Sequence, residues 1–336
     1  MAKDTILLDH GAGGRASHQL VQRVFARRLG NELLDPLDDA AVLAAPAGRL
    51  SVSTDTFVVD PLFFPGGDIG SLAVHGTVND VAMRGARPLY LTAGFVLEEG
   101  LDVAVLERVV ASMAAAAKAC GVRVVAGDTK VVGRGQADKV FINTTGIGVI
   151  PEGREVGAHL AAPGDKVLVS GTMGDHGVTI MALRGGLNLE ANLQSDSAGL
   201  QGMISELLEA CPNIHTLRDP TRGGLATTLN EIAATAGVSM ELDEEAIPVG
   251  EGVRGVCELL GLDPLYLANE GKLIVVAPPQ EAEPALEVMR AHALGAQAAI
   301  IGAVGESPAG RVWLQTAVGG RRILDMLAGE ALPRIC

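Results

Sequence analysis

The sequence predicts an α/β protein of two successive domains, and three observations carry that expectation. The chain has 336 residues, and at roughly 150 residues per domain it has room for about two. Helical and strand patterns alternate along its length with no low-complexity linker between them. The alternation restarts around residues 151–163, which divides the chain into 1–155, 156–325 and a last stretch, 326–336.

In order, Ser17 is placed to cap a helix that runs to Leu29 and stops at Gly30. Residues 50–59 (LSVSTDTFVV) read as a strand, 68–84 as a helix ended by Gly85 and Pro88, and 88–97 as a strand. Asp102 can cap a long helix through Cys120, with Gly121 just beyond it, before strands at 123–126 and 139–150. The second unit opens with a strand at 165–170 that enters a glycine turn (GTMGDHG) and a helix. Helices are expected at 202–210, 223–236, 251–260 and 280–294, and strands at 272–276, 299–304 and 311–314. The last eleven residues, 326–336, have few obligations to a core and are expected to form a mobile tail.

Composition removes several classes of function. With 26 Lys+Arg against 40 Asp+Glu, a net charge of −14 and 3% aromatics, the chain lacks both the cationic footprint and the stacking surface of a nucleic-acid binder. The longest charge-free stretch, 291–305, is shorter than the ~18 apolar residues of a membrane span. The N-terminal residues show no apolar signal region. Four scattered cysteines, Cys120, Cys211, Cys257 and Cys336, make neither a disulfide scaffold nor a zinc knuckle, so a cytoplasmic protein is expected.

Chemistry concentrates at element ends. The first half carries Asp38-Asp39, Thr54-Asp55, Asn79-Asp80 and Gly127-Asp128-Thr129-Lys130. Hard oxygen ligands from separate segments suit Mg²⁺ bridging a polyphosphate, although any one such Asp also fits a turn or cap. Asn79-Asp80 stands out because it interrupts an otherwise apolar helix. The loop Gly11-Ala12-Gly13-Gly14-Arg15 precedes a helix and could present backbone N–H groups to phosphate. It matches neither the Walker nor the full dinucleotide fingerprint, and a flexible loop is the plainer reading. Lys130 fits either a simple ion pair with Asp128 or the neutralisation of a transferred phosphoryl group.

In the second half, Asp175-His176, Asp219-Pro220-Thr221-Arg222-Gly223-Gly224 and Asn269-Glu270-Gly271-Lys272 sit at turns. His176 by itself reads more readily as structural. Glu270 leads into a very apolar strand, where a carboxyl with a raised pKa can act as acid or base, or is simply a turn residue. The end, Leu332-Pro333-Arg334-Ile335-Cys336, is held extended by Pro333 and puts a thiol at its tip. Such a thiol is either incidental or a swinging nucleophile that carries a covalent group into a site.

Taken together and in order, the HGAGG loop, DDAA, TD, ND, GDTK, SGTMGDHG, DPTRGG, NEGK and the terminal PRIC resemble the HypE family of hydrogenase-maturation proteins. That family belongs to a superfamily of ATP-dependent enzymes with aminoimidazole ribonucleotide synthetase, selenophosphate synthetase and thiamine-monophosphate kinase. The likeness spans essentially the whole chain; the earlier motifs carry the superfamily, and PRIC picks out the family within it. It implies a two-domain fold with an α+β N-terminal half whose strands form a barrel across a homodimer, followed by a C-terminal α/β domain. It also implies a reaction: a carbamoyltransferase, HypF, loads a carbamoyl group onto Cys336, ATP drives its dehydration to a thiocyanate, and the cyanide passes to iron on a HypC–HypD scaffold. By the same resemblance Asp38, Asp55, Asp80 and Asp128 would hold Mg²⁺ and the phosphates of ATP. Gly11, Gly13, Gly14, Asn79 and Thr129 would assist. Lys130 would stabilise phosphoryl transfer, and Glu270 would accept the proton or deprotonate Cys336 during loading. Arg334 would steer the tail into an acidic site. The alternatives are a superfamily sibling, such as selenophosphate synthetase or a small-molecule kinase, and a nucleotide-sensing scaffold without turnover. Selenophosphate synthetase carries its reactive residue near the N-terminus, whereas the first cysteine here is Cys120.

Overall fold

The structure, a computed structural model, describes residues 4–186, 193–329 and 335–336. The first half contains α1 (Arg15–Leu20), a π-helical turn at Val21–Ala26, α2 (Arg27–Leu29), β1 (Arg49–Phe57), β2 (Phe63–Phe64), β3 (Gly67–Asp68), α3 (Ile69–Ala82), β4 (Arg87–Glu98), α4 (Val103–Cys120), β5 (Arg123–Val132) and β6 (Val140–Ile150). The second contains β7 (Lys166–Val169), α5 (Asp175–Arg184), α6 (Gln201–Ala210), β8 (Thr216–Arg218), α7 (Gly224–Ala236), β9 (Ser239–Asp243), α8 (Glu251–Leu260), β10 (Ile274–Ala277), α9 (Pro279–Ala291), β11 (Ala299–Gly305), β12 (Arg311–Gln315) and β13 (Arg321–Ile323).

The N-terminal sheet is open and four-stranded, in the order β1-β6-β4-β5, with β4 and β5 parallel. α4 makes the crossover between those two strands. Asp102 caps it, its carboxylate accepting from the Ala104 amide, and Gly121 ends it at φ 70°, a conformation that L side chains resist. α3 is apolar on all sides because it is enclosed on all sides: β1 and β6 pack on one face, α4 on another, and α6 of the second domain against its end. Its Leu72, Val74, Val78 and Val81 are fully buried. The interrupting pair Asn79-Asp80 therefore sits at the boundary between the domains.

The C-terminal sheet runs β13-β12-β9-β11-β7-β10-β8. Helices cover both faces, so β7 and β10 are nearly continuous apolar runs. Val167, Val169, Ile274 and Val276 pack with Leu225 and Leu229 of α7, while Leu168, Val275 and Ala277 pack with Met203 and Leu207 of α6 and Met289 of α9. This is the period-two alternation of a strand serving two cores.

Two expectations need correction. Ser17 does not cap the first helix: α1 begins at Arg15 with Gly14 before it, and the Ser17 hydroxyl instead accepts from the Gly13 amide and donates to the Asp9 carbonyl, closing the glycine loop. The strand expected at 123–126 continues to Val132, so Gly127-Asp128-Thr129-Lys130 lies within β5 rather than after it. Ile335 is 5% exposed and packs into the N-terminal core cluster. Arg334 lies outside the described residues.

Candidate active site

Strand register divides the sequence-predicted residues between two places. Thr56, Asn143, Gly94 and Asp128 lie in one cross-strand row, and Asp55, Thr144, Ala93 and Gly127 in the next. Adjacent rows point to opposite faces. Thr144 is buried against α3, donating to the Ala73 carbonyl, so Asp55 faces inward, toward α3 and the second domain. Asp128 and Lys130 face outward. Three strand spacings, roughly 14 Å, separate β1 from β5.

The outer place is a groove of about 590 Å³. Gly11, Gly13, Asp38, Asp39, Asp128, Thr129 and Lys130 line it, and Gly14 adjoins it at the start of α1. It is a size typical of small-ligand sites. Asp128 holds Lys130 by a 2.7 Å ion pair and also accepts from the Thr129 amide, and these contacts, the Lys130 hydrogen bond foremost, keep its carboxyl below the usual range. Asp38 is exposed on the loop that forms the opposite wall.

The inner place is a chamber between the domains. It gathers Asp55 from β1, Asp80 from α3, Asp219 and Arg222 from the turn before α7, Glu270 from the turn before β10, and Cys336. Burial comes first in raising every one of its acids. Asp219 is pushed up to about 7, with Asp80 and Asp55 adding repulsion. Glu270 is 3% exposed and is held well above the ordinary glutamate range by burial and by Asp219, Asp196, Asp55 and Asp80. The Cys336 thiol hydrogen-bonds to Arg222, yet burial and the neighbouring Glu270 raise it to about 12. Glu270 and Cys336 thus meet, while Lys130 stands apart in the groove.

The wall of the chamber is a segment that sequence reasoning did not single out, Ser195–Leu200. The Asp196 carboxylate accepts from the amides of Glu270 and Gly271, at 3.1 and 3.2 Å, and from Lys272 Nζ. Lys272 also pairs with Asp175 at 3.1 Å. Burial alone would lower the Lys272 ammonium, and the two aspartates outweigh it. Gly271 has to be glycine, since a Cβ there would lie 1.8 Å from the Asp196 carbonyl oxygen. Asn79 spends its amide on backbone: Nδ2 donates to the Ala198 carbonyl at 3.0 Å and Oδ1 accepts from the Leu200 amide at 2.8 Å. It fastens the second domain's segment to α3 and has no polar atom turned to the groove.

Among the described residues, no three His, Cys, Asp or Glu side chains converge as a metal site. Repulsion among Asp55, Asp80 and Asp219 adds to burial in raising Asp80 and Asp219.

Comparison with known proteins places this arrangement. Residues 37–150 match the N-terminal domain of AIR synthase related protein and residues 162–315 its C-terminal domain. The fold is that of the AIR synthase related class. Within that class the chain belongs to the HypE family. It is 59% identical over 327 residues to carbamoyl dehydratase HypE of Azotobacter vinelandii, covering 97% of this chain and 96% of that one. A crystal structure of the hydrogenase maturation protein HypE in complex with ATP superposes with a TM-score of 0.96 at 56% identity, covering 99% of this chain and 100% of that one. A chain of a HypE–HypF complex matches with a TM-score of 0.81 at 50% identity, over 92% of this chain and 99% of that one. Among the described residues no helix is long and apolar enough to cross a membrane.

Proposed function

We propose that this protein is an ATP-dependent carbamoyl dehydratase acting on its own Cys336, and that the observation carrying the reading is the position of that half-buried cysteine beside Glu270, Asp55 and Arg222. The substrate is a thiocarboxamide on the Cys336 sulfur. Its amide oxygen is a poor leaving group, and phosphoryl transfer from ATP converts it to phosphate. Loss of both N–H hydrogens then gives a thiocyanate, so thiocarboxamide and ATP become thiocyanate, ADP, phosphate and a proton.

The residues divide this work. Gly11, Gly13 and Gly14 offer backbone amides to phosphate, and Thr129 and Lys130 bind it from β5, Lys130 offsetting the charge of nucleotide phosphate held in the groove. Mg²⁺, when bound, would neutralise phosphate charge; Asp38 and Asp128 would hold it at the groove, and Asp55 and Asp80 at the chamber. Arg222 steadies charge developing on the carbonyl oxygen. Glu270, whose burial makes it a stronger base than a surface carboxylate, takes the amide proton. A thiol at about 12 is almost wholly protonated near neutral pH and a poor nucleophile. The docked position therefore suits dehydration, and loading takes place with Cys336 presented to a transferase of the HypF kind.

A homodimer accounts for the outer face of the N-terminal sheet, where Leu50 and Val52 are 57% and 63% exposed in a row with Thr54 and Thr56. Two such sheets packed together would form the barrel and put Asp128 and Lys130 in the interface. Iron on a HypC–HypD scaffold is the acceptor of the cyanide, and four unpaired cysteines suit the reducing cytoplasm. Cys336→Ala tests the assignment: it abolishes thiocyanate formation while ATP binding persists. A Cys336→Ala protein that still yields the cyanide ligand refutes it.

A further inference from the structure

Ile335 and Cys336 are fixed to both domains. The Cys336 carbonyl accepts from the Val58 amide at 3.2 Å, just after β1. The Ile335 carbonyl lies 2.7 Å from Nε2 of His176, at the start of α5, and Nδ1 of the same ring lies 2.8 Å from the Ser195 hydroxyl. His176 is fully buried and meets the edge of Phe64 at 5.5 Å between centroids.

A carbonyl only accepts, so Nε2 carries the hydrogen and Nδ1 is the lone-pair side. Ser195 then donates its hydroxyl hydrogen to Nδ1, and the same oxygen accepts from the Ser197 amide at 3.1 Å. Hydrogen bonds thus run in one direction, from the Ser197 amide through the Ser195 hydroxyl and the imidazole to the Ile335 carbonyl, with each bond polarising the next. The chain begins in the segment whose Asp196 also holds the backbone of Glu270. Burial lowers the His176 pKa and keeps the ring neutral, as this tautomer requires. One element of the second domain therefore sets both the proton acceptor and the sulfur-bearing residue.

We propose that His176, oriented by Ser195, is a positioning residue that latches the Ile335 carbonyl and so seats the group on Cys336 beside Glu270. This rests on the function proposed above, but the latch itself can be read without any turnover. His176→Leu removes the donor at nearly constant volume, His176→Gln restores an N–H that reaches toward the same carbonyl, and Ser195→Ala frees the ring to turn or to shift its hydrogen to Nδ1.

The probe is iodoacetamide alkylation of Cys336, followed by mass spectrometry of the C-terminal peptide in the full-length, ATP-free protein. His176→Leu is expected to raise the rate about ten- to a hundredfold, the range set by the loss of one buried hydrogen bond. Ser195→Ala is expected to raise it less, and His176→Gln to return it toward wild type. In protein carbamoylated beforehand, His176→Leu lowers the dehydration rate without raising the KM for ATP, and His176→Gln recovers it. An unchanged alkylation rate in folded His176→Leu overturns the latch, as does equal loss in Leu and Gln. If His176→Leu does not fold, an unchanged rate in Ser195→Ala overturns it. Wild-type protein that protects Cys336 but performs no dehydration leaves the latch standing and removes the proposed function.

Discussion

The groove at β5 and the chamber between the domains both collect carboxylates, yet they treat them in opposite ways. In the groove Asp128 is open to water, tied to Lys130, and held below its usual range. In the chamber Asp219 and Glu270 are buried, crowded by like charge, and pushed up. A solvated, partly neutralised carboxylate suits reversible capture of a charged nucleotide. A desolvated one suits proton transfer, because the same fields act more strongly where water is excluded. Asp55 and Asp128 thus stand in neighbouring rows but face apart, and under the proposed function nucleotide binding and proton transfer fall on opposite faces of one sheet.

The contrast can be broken from either side. The largest effect is expected from Glu270→Gln, which should slow dehydration of the loaded protein by roughly 10²- to 10⁴-fold, the usual share of a general base. ATP affinity by calorimetry should hardly change, and a large loss of affinity would put Glu270 in the nucleotide grip instead. Because the Glu270 pKa is raised, the wild-type rate should climb with pH as that carboxyl ionises, and the climb should vanish in the variant. Next comes Asn79→Ala, which strands the Leu200 amide and the Ala198 carbonyl; denaturant titration should show a loss of about 1–3 kcal/mol.

Asp128→Asn should act on the other region alone. It should raise the KM for ATP about tenfold, equivalent to ~1.4 kcal/mol, with the rate at saturating ATP nearly unchanged. The smallest effect sharpens the chamber's electrostatics. A carboxyl raised in the folded state stabilises at low pH, and that contribution is lost as pH rises from the ordinary aspartate range toward about 7. Metal-free protein should therefore weaken across that window, and Asp219→Asn should lessen the decline, gaining about 2–4 °C in Tm at pH 8. A wild-type Tm that is flat with pH would contradict the crowding of Asp219.

Much of this was legible before the structure. Asp55, Asp80, Glu270 and Cys336 were singled out because carboxylates at element ends, an Asn-Asp pair inside an apolar helix and a thiol at the last position are local signals. What the sequence concealed was long-range. Asp196 and Ser195 belong to an irregular segment with no periodicity, and their roles come from backbone amides and a histidine far away in the chain. Asp219 and Arg222 were visible as part of a glycine turn, but nothing local says that the turn opens on Cys336. Lys130 was read as an ion-pair partner of Asp128 or a stabiliser of phosphoryl transfer, and only strand register shows that its row faces away from the chamber.

The measurement that bears most directly on the central claim is mass spectrometry of the peptide ending in Cys336, taken after incubation with a carbamoyl donor and transferase, and again after adding ATP. The account predicts a carbamoyl group on Cys336 in the first sample and the loss of the mass of one water from it in the second. A Cys336 that stays unmodified through both steps, or a carbamoyl group that ATP leaves intact, would contradict it.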